Sequence, residues 1–514
     1  MSALVERARI ARAQVAISDV LARAGWGAVA AVLASGLTLG FFAWFEFIVP
    51  THRPTLTQAG LPFSLIAAAV LVVWAWQAYS KYFSLRTGVL FERSLQYDAI
   101  AWLPFLLLWL SFVLPVSFTH GSTRLFLYSA ALFCLTKLAF AVRFNTTVRD
   151  VTVDFIVSRF AIIVIAELAA VIIGQRAGVH VQESRNLLLN VWGRWDAVHY
   201  IDIATIGYHS TDMAFFPMYP LLIGALGALI GNHLVAGLII SNVALFFALL
   251  FLYKLVEHEF DRSVARRAIF YISIFPTAIF FSAVYPEALF LMLTVASFYY
   301  MRERRWWLAG AIGFFAALTR VEGVLLTVPF AIEWFVAYRP LRPENRENLN
   351  KALFNLAPIL LIPIGLSLYM GYLWVLNGDP LYFSHVQVHW NRHLAAPWTA
   401  VINSWHKIMH STVPQNVANQ TLELVFTALM VIVLIAGWKR LKPSYIAYMA
   451  LSILLPMSTS SLMSMPRFAL VLFPMFVIFA LWGSRPSMNN AIVAFSLPLL
   501  GLFTVLFADW YWVA

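Results

Sequence analysis

The chain has 514 residues, 61% of them hydrophobic and only 11% charged, with a mean hydropathy of +0.79. Soluble domains carry about 25% charged residues, so this composition excludes a soluble globular protein and predicts an all-α polytopic membrane protein. The net charge of +11 would suit nucleic acid, but its distribution along the chain argues against that partner, and the lone cysteine, Cys134, excludes an intramolecular disulfide or a Cys-based metal cluster.

Residues 1–26 carry Arg7, Arg9, Arg12 and Arg23 among apolar residues, with no small-residue cleavage site after a short apolar core. They read as a cytoplasmic interfacial helix. A span needs about 20 apolar residues. On that measure four follow near 27–49, 61–80, 98–118 and 124–142, making 27–150 an N-terminal four-helix module. The remainder, 151–514, holds further spans near 154–174, 234–253, 267–282, 284–301, 306–319, 321–338, 353–376, 421–438, 444–460, 467–483 and 490–508. The expected total is about 15 transmembrane helices. Breaks are expected at Tyr285-Pro286-Glu287 and at Arg320 to Gly323.

With the N-terminus inside, most lysines and arginines fall in inner segments, including Arg262/Arg266/Arg267, Arg302/Arg304/Arg305 and Lys439/Arg440/Lys442. That bias sets orientation, so the positive charge is topological. It holds only if the apolar stretch 215–231 lies along the membrane as a juxtamembrane helix and does not cross. Two long outer loops result, 175–233 and 377–420. Every histidine but His258 then lies outside, with Asp196, Glu287, Arg320, Asp379 and Arg467.

The first outer loop contains WGRWDAVHYIDIATIGYHSTDMAFFPMYP, from Trp192 to Pro220. Acids are rare in this chain, and Asp196, His199 and Tyr200 share a face if the segment is helical. A solvated aromatic connector explains the same stretch equally well. Arg320 stands at a helix break and Arg467 at a helix start. An interfacial arginine is costly and needs a partner: either a lipid phosphate, which the guanidinium fork suits, or a carboxylate such as Glu322 or Glu287. In the second loop, His385, His389 and His393 are spaced four apart, as are His406 and His410. A helix would align each set, but without a nearby acid at ligand spacing a metal site is not expected. Glu167 and Arg159 could form a buried pair, a feature transporters also carry.

Six motifs run in order from about 154 to 508: WDAVHYIDIATIGY, AFFPMYP, FSAVYPEALF, AALTRVEG, GDPLYFSHVQVHWNR and SMPRFALVLFP. Together they resemble the PIG-V-type mannosyltransferase family, within the GT-C superfamily of glycosyltransferases that use lipid-linked sugars. The resemblance implies a GT-C-like core over 151–514, opening with helix 154–174 and a large extracytoplasmic loop with juxtamembrane helices. It implies an inverting hexosyltransferase, of the mannosyltransferase kind. Asp196, which matches the family's Trp-Asp motif, would be the catalytic base, and Arg320 and Arg467 would bind the donor phosphate. Trp195, His199, Tyr200, Tyr219, Glu287, Gln387 and Trp390 would contact acceptor or sugar. The donor would be a polyprenyl- or dolichyl-phosphate sugar, the acceptor a lipid or glycan, and membrane lipids the surroundings, with no cofactor and no metal. The site would face outward across a plasma membrane, or the lumen across an endoplasmic reticulum membrane. The four-helix module precedes the family's usual start, and Pro286 stands where the family has a serine. Two other classes remain: a transporter or flippase of lipid-linked sugars, and a non-catalytic membrane scaffold.

Overall fold

A computed structural model describes residues 145–173, 186–209, 211–340 and 349–513. The interfacial helix 1–26 and nearly all of the four-helix module lie outside the described residues. Within them the chain is helical, and the one bridge, between Leu394 and Thr459, belongs to no strand. Residues 146–514 form one compact unit.

In chain order, α1 (Thr146–Ile172) is followed by the loop helices α2 (Asp196–Ile206) and α3 (Met218–Ile230), then by α4 (His233–Glu259) and α5 (Arg262–Ser273). Next come α6 (Glu287–Arg302), α7 (Trp306–Thr319), α8 (Thr327–Tyr338), α9 (Leu349–Leu356) and α10 (Leu361–Asn377). The second loop contributes α11 (Pro397–His410), and α12 (Pro414–Gly437), α13 (Pro443–Met457), α14 (Met465–Val471), α15 (Phe473–Trp482) and α16 (Pro486–Ala508) complete the chain. Their bounds have local causes. The Asn232 and Asp261 side chains accept from the first free backbone N–H groups of α4 and α5, which is ordinary N-capping. Gly231 and Gly378, both left-handed, close α3 and α10.

Among the described residues, six helices are long and apolar enough to cross a membrane, or seven if the bent pair α14–α15 counts as one. The fold class stands, but the spans expected past residue 150 are not all single helices. α7 has 14 residues and α13 has 15. At 1.5 Å per residue each is about 21–23 Å long, short of the roughly 30 Å hydrocarbon core.

Two expected spans are broken. The stretch expected at 267–282 is helical only to Ser273 and continues as short turns into Pro286. A backbone leaving the helix in apolar surroundings must find hydrogen-bond partners, and Arg159 of α1 supplies them. Its guanidinium donates to the Ser273 and Ala278 carbonyls and to the Ser282 hydroxyl. The expected Arg159–Glu167 pair is therefore not formed; Glu167 instead accepts from the Trp192 indole at 3.0 Å. The span at 467–483 bends by 75° between α14 and α15, beside Pro474, which has no N–H to continue the ladder.

The packing leaves polar helix ends facing one another. α4, α6, α7 and α10 pack in succession, and α14 lies across α6 and α12. Gly365 permits the α7–α10 approach, because a side chain there would run into the Phe314 carbonyl. Gly323 does the same in the 3-10 turn Val321–Leu326, where a Cβ would meet the Ala316 backbone.

Candidate active site

Each charged group of the site stands at a helix end or break. Asp196 and Glu287 are the first residues of α2 and α6, where the helix dipole favours a carboxylate. Arg320 follows the last residue of α7, and Arg467 lies in the first turn of α14. Two of these turns are strained. Trp195, immediately before Asp196, has φ 59°, and Ser464, three residues before Arg467, has φ 73°. Positive φ in a non-glycine residue costs on the order of 1–3 kcal/mol and persists only where the surroundings enforce it. Tyr285 helps to enforce the first: its hydroxyl donates to the Arg194 carbonyl at 3.0 Å and accepts from the Asp196 N–H at 3.1 Å. Trp195 also packs on Trp510 and Trp512, with ring centroids 5.7 and 5.3 Å away.

The four groups converge. Arg467 Nη1 donates to Asp196 Oδ2 at 2.6 Å, and its Nη2 and Nε donate to Glu287 Oε1 at 2.6 and 3.0 Å. Arg320 Nη1 donates to that same Glu287 oxygen at 2.8 Å, and its Nη2 to Glu322 Oε1 at 3.0 Å. Both guanidinium groups lie over aromatic rings: Arg320 over Phe290 and Phe468, Arg467 over Phe280 and Tyr285, at 4.9–5.7 Å from the ring centroids. Glu287 is wholly buried and Arg467 nearly so, while the Asp196 carboxylate keeps 23% of its side-chain surface exposed. Glu287 thus anchors two arginines from below, while Asp196 and the more deeply buried Glu322 line the space above, Asp196 being the more exposed of the two.

That space is a cavity of about 620 Å³, within the size range of small-molecule sites. Of the residues expected from sequence, Asp196, Arg320, Arg467, Trp195, His199, Tyr200, Gln387 and Trp390 line it. Tyr219 does not: it is fully buried, with its hydroxyl on Ser241 and the Gly237 carbonyl. Glu287 lies beneath the lining. His199 stacks on Phe215 at 4.7 Å, and its Nδ1 is 2.8 Å from Asp212 Oδ1. Burial raises the carboxyl of nearby Asp202 above its usual range, and the Asp212 charge adds to the rise.

Sequence reasoning passed over three of the arginines and tryptophans that line the cavity. Arg392 is one; its guanidinium donates to the Met463 carbonyl, and its buried Nε has no partner. Burial pushes its pKa down to about 10, opposed by the charge of Glu423. Its place in the motif with Gln387 and Trp390 was the available signal. Trp510 and Trp512 are the others, marked only by the density of aromatics near the chain end. Of the two spaced histidine sets, His406 and His410 share a face of α11 as expected, whereas His385, His389 and His393 do not align. His385 is bound to Asp379 at 2.6 Å, in a turn where that carboxylate also receives the Leu381 N–H, and the hydrogen bond from His385 holds Asp379 below the usual carboxylate range. The left-handed Asn391 separates His389 from His393. His406 and His410 stack on each other at 4.0 Å. Among the described residues, no three His, Cys, Asp or Glu side chains are grouped so as to hold a metal ion.

The family model described as mannosyltransferase (PIG-V) matches residues 142–339. That segment includes Asp196, Glu287, Arg320 and Glu322, whereas Arg392 and Arg467 lie beyond it. No curated protein matches the chain, and no solved structure does.

Proposed function

From a chain that belongs, over residues 142–339, to the PIG-V mannosyltransferase family and carries several helices able to cross a membrane, we propose an inverting transfer of mannose from a polyprenyl- or dolichyl-phosphate carrier to a hydroxyl of a lipid or glycan acceptor, on the extracytoplasmic face. The observation that carries this reading is the meeting of Asp196, Arg320 and Arg467 at one cavity. These are one acid open to solvent and two cations held at fixed positions.

The donor's isoprenoid tail stays in hydrocarbon, and its phosphate enters between Arg320, Arg467 and Arg392. Carboxylates and the Met463 carbonyl hold the three guanidinium groups in place, so charge developing on the leaving oxygen meets cations that need little reorganisation. The acceptor hydroxyl gives its proton to Asp196 as its oxygen bonds to C1 of the sugar. The C1–O bond to phosphate breaks on the opposite side, inverting the anomeric carbon, and the lipid phosphate leaves with the electron pair. Arg467 orients the carboxylate through Oδ2, and Oδ1 takes the proton. Glu287 fixes the spacing of the two arginines and does not itself touch substrate. Trp195, Tyr200 and Trp390 offer ring faces to the sugar, and His199 and Gln387 offer hydrogen bonds. The leaving group carries one phosphate, and the three arginines that line the cavity offset its charge without calling on a metal.

The test supplies purified full-length protein with labelled polyprenyl-phosphate-mannose or GDP-mannose, together with crude lipid acceptors. Transfer from the lipid carrier alone is expected. Transfer from GDP-mannose without a carrier overturns the donor assignment, and transfer from neither returns the protein to the flippase and scaffold readings.

A further inference from the structure

A second cavity of about 370 Å³ adjoins the first, with Trp390, Met463 and Trp512 lining both. Its chemistry is different. The rest of its wall comes from the loops before α11 and α14 and from the facing ends of α11 and α12, and is dominated by amides and hydroxyls: Asn391, Ser411, Asn416, Asn419, Gln420 and Ser461. Its two ionisable side chains, Lys407 and Glu423, are of opposite sign when charged, so together they add no net charge that would favour an anion. One group has a hydrogen bond to spare. Gln420 donates through Nε2 to Glu423 at 3.0 Å, and its own buried carbonyl oxygen has no partner.

We propose that this cavity holds a neutral sugar unit of the acceptor, next to the unit whose hydroxyl is attacked. The proposal rests on the glycosyl-transfer reading above and deepens it: the acceptor is a glycan of at least two units. Amides both donate and accept, as sugar hydroxyls do, so three asparagines and a glutamine can match a ring of hydroxyls without ionic groups. The unpartnered Gln420 oxygen accepts one of those hydroxyls, removing the cost of a buried unsatisfied acceptor. Trp390 and Trp512 stand where the two cavities meet and supply aromatic faces to the C–H sides of adjoining rings. A phosphate belongs in the first cavity, where the arginines are, and a polyhydroxylated neutral ring in the second.

The test uses full-length protein in lipid nanodiscs and a neutral α-linked mannose disaccharide, with binding read by tryptophan fluorescence and no donor present. Binding is expected to weaken roughly tenfold in Asn416→Leu and in Asn419→Leu, each amide lost being worth about one hydrogen bond. To separate lost contacts from lost folding, Asn416→Cys is labelled with a maleimide, and the disaccharide should slow that labelling. Unchanged binding in both leucine variants, or labelling indifferent to the disaccharide, overturns the subsite. Since no donor is needed, amide-dependent binding in a protein that transfers no mannose would refute the proposed function and leave the subsite standing. Transfer with amide-independent binding would do the reverse.

Discussion

Arg467→Lys isolates what the guanidinium fork contributes. The native side chain holds Asp196 through one nitrogen and Glu287 through two, at 2.6–3.0 Å, and sits over the rings of Tyr285 and Phe280. Lysine keeps the charge, but as one compact ammonium that cannot span both carboxylates in the same plane. At least one charge-assisted hydrogen bond is lost, worth about 1.5–3 kcal/mol. If that bond also organises the arginine for the leaving phosphate, the barrier rises by a similar amount. At about 1.4 kcal/mol per factor of ten, the rate should fall roughly 10- to 150-fold. The assay is initial-rate transfer from labelled lipid-phosphate mannose with the donor varied. Because the group acts on charge that develops during the reaction, the loss should appear in kcat more than in the KM for donor. A lysine variant within twofold of wild type would refute the fork argument. A loss confined to KM would show that Arg467 only binds the ground state.

Asp196→Asn is expected to abolish transfer while the protein still inserts and purifies, since the amide is nearly isosteric but takes no proton at neutral pH; substantial residual turnover would move the base elsewhere. Gly323→Ala should destabilise the protein by about 1–3 kcal/mol, the usual range for overpacking, because its new methyl would meet the Ala316 backbone; an unchanged melting temperature would contradict the tight turn. An impermeant thiol reagent applied from outside should label Thr412→Cys and spare Glu303→Cys, both exposed positions, and labelling of Glu303→Cys would place the site's face wrongly. Chelators should leave transfer largely intact. If EDTA silences the enzyme and a divalent ion restores it, the acids and histidines of the outer loops must be re-read as ligands.

What the sequence determined by itself was whatever depends on short-range chemistry. Most continuous apolar runs became helices, because a backbone in hydrocarbon must satisfy its own hydrogen bonds unless buried protein groups do so, as Arg159 does after Ser273. Asp196, Glu287, Arg320 and Arg467 were visible as charges at the ends of apolar stretches, a costly placement. Only the tertiary structure decided how those charges combine. Asp196 and Arg467 are 271 residues apart in the chain, and Glu287 and Arg467 are 180 apart, and no periodicity encodes a contact over such distances. The same limit explains the other differences. Tyr219 shares a motif with the site yet turns inward to Ser241, because α3 packs along α4. Arg159 passes over Glu167 for the carbonyls freed where α5 stops, a demand that exists only once that helix has broken beside α1. Arg392 reads as one more loop arginine until the Met463 carbonyl, just before α14, accepts from its guanidinium and both line the cavity. Local pattern sets where a polar group can stand, and packing between distant segments sets which group it meets.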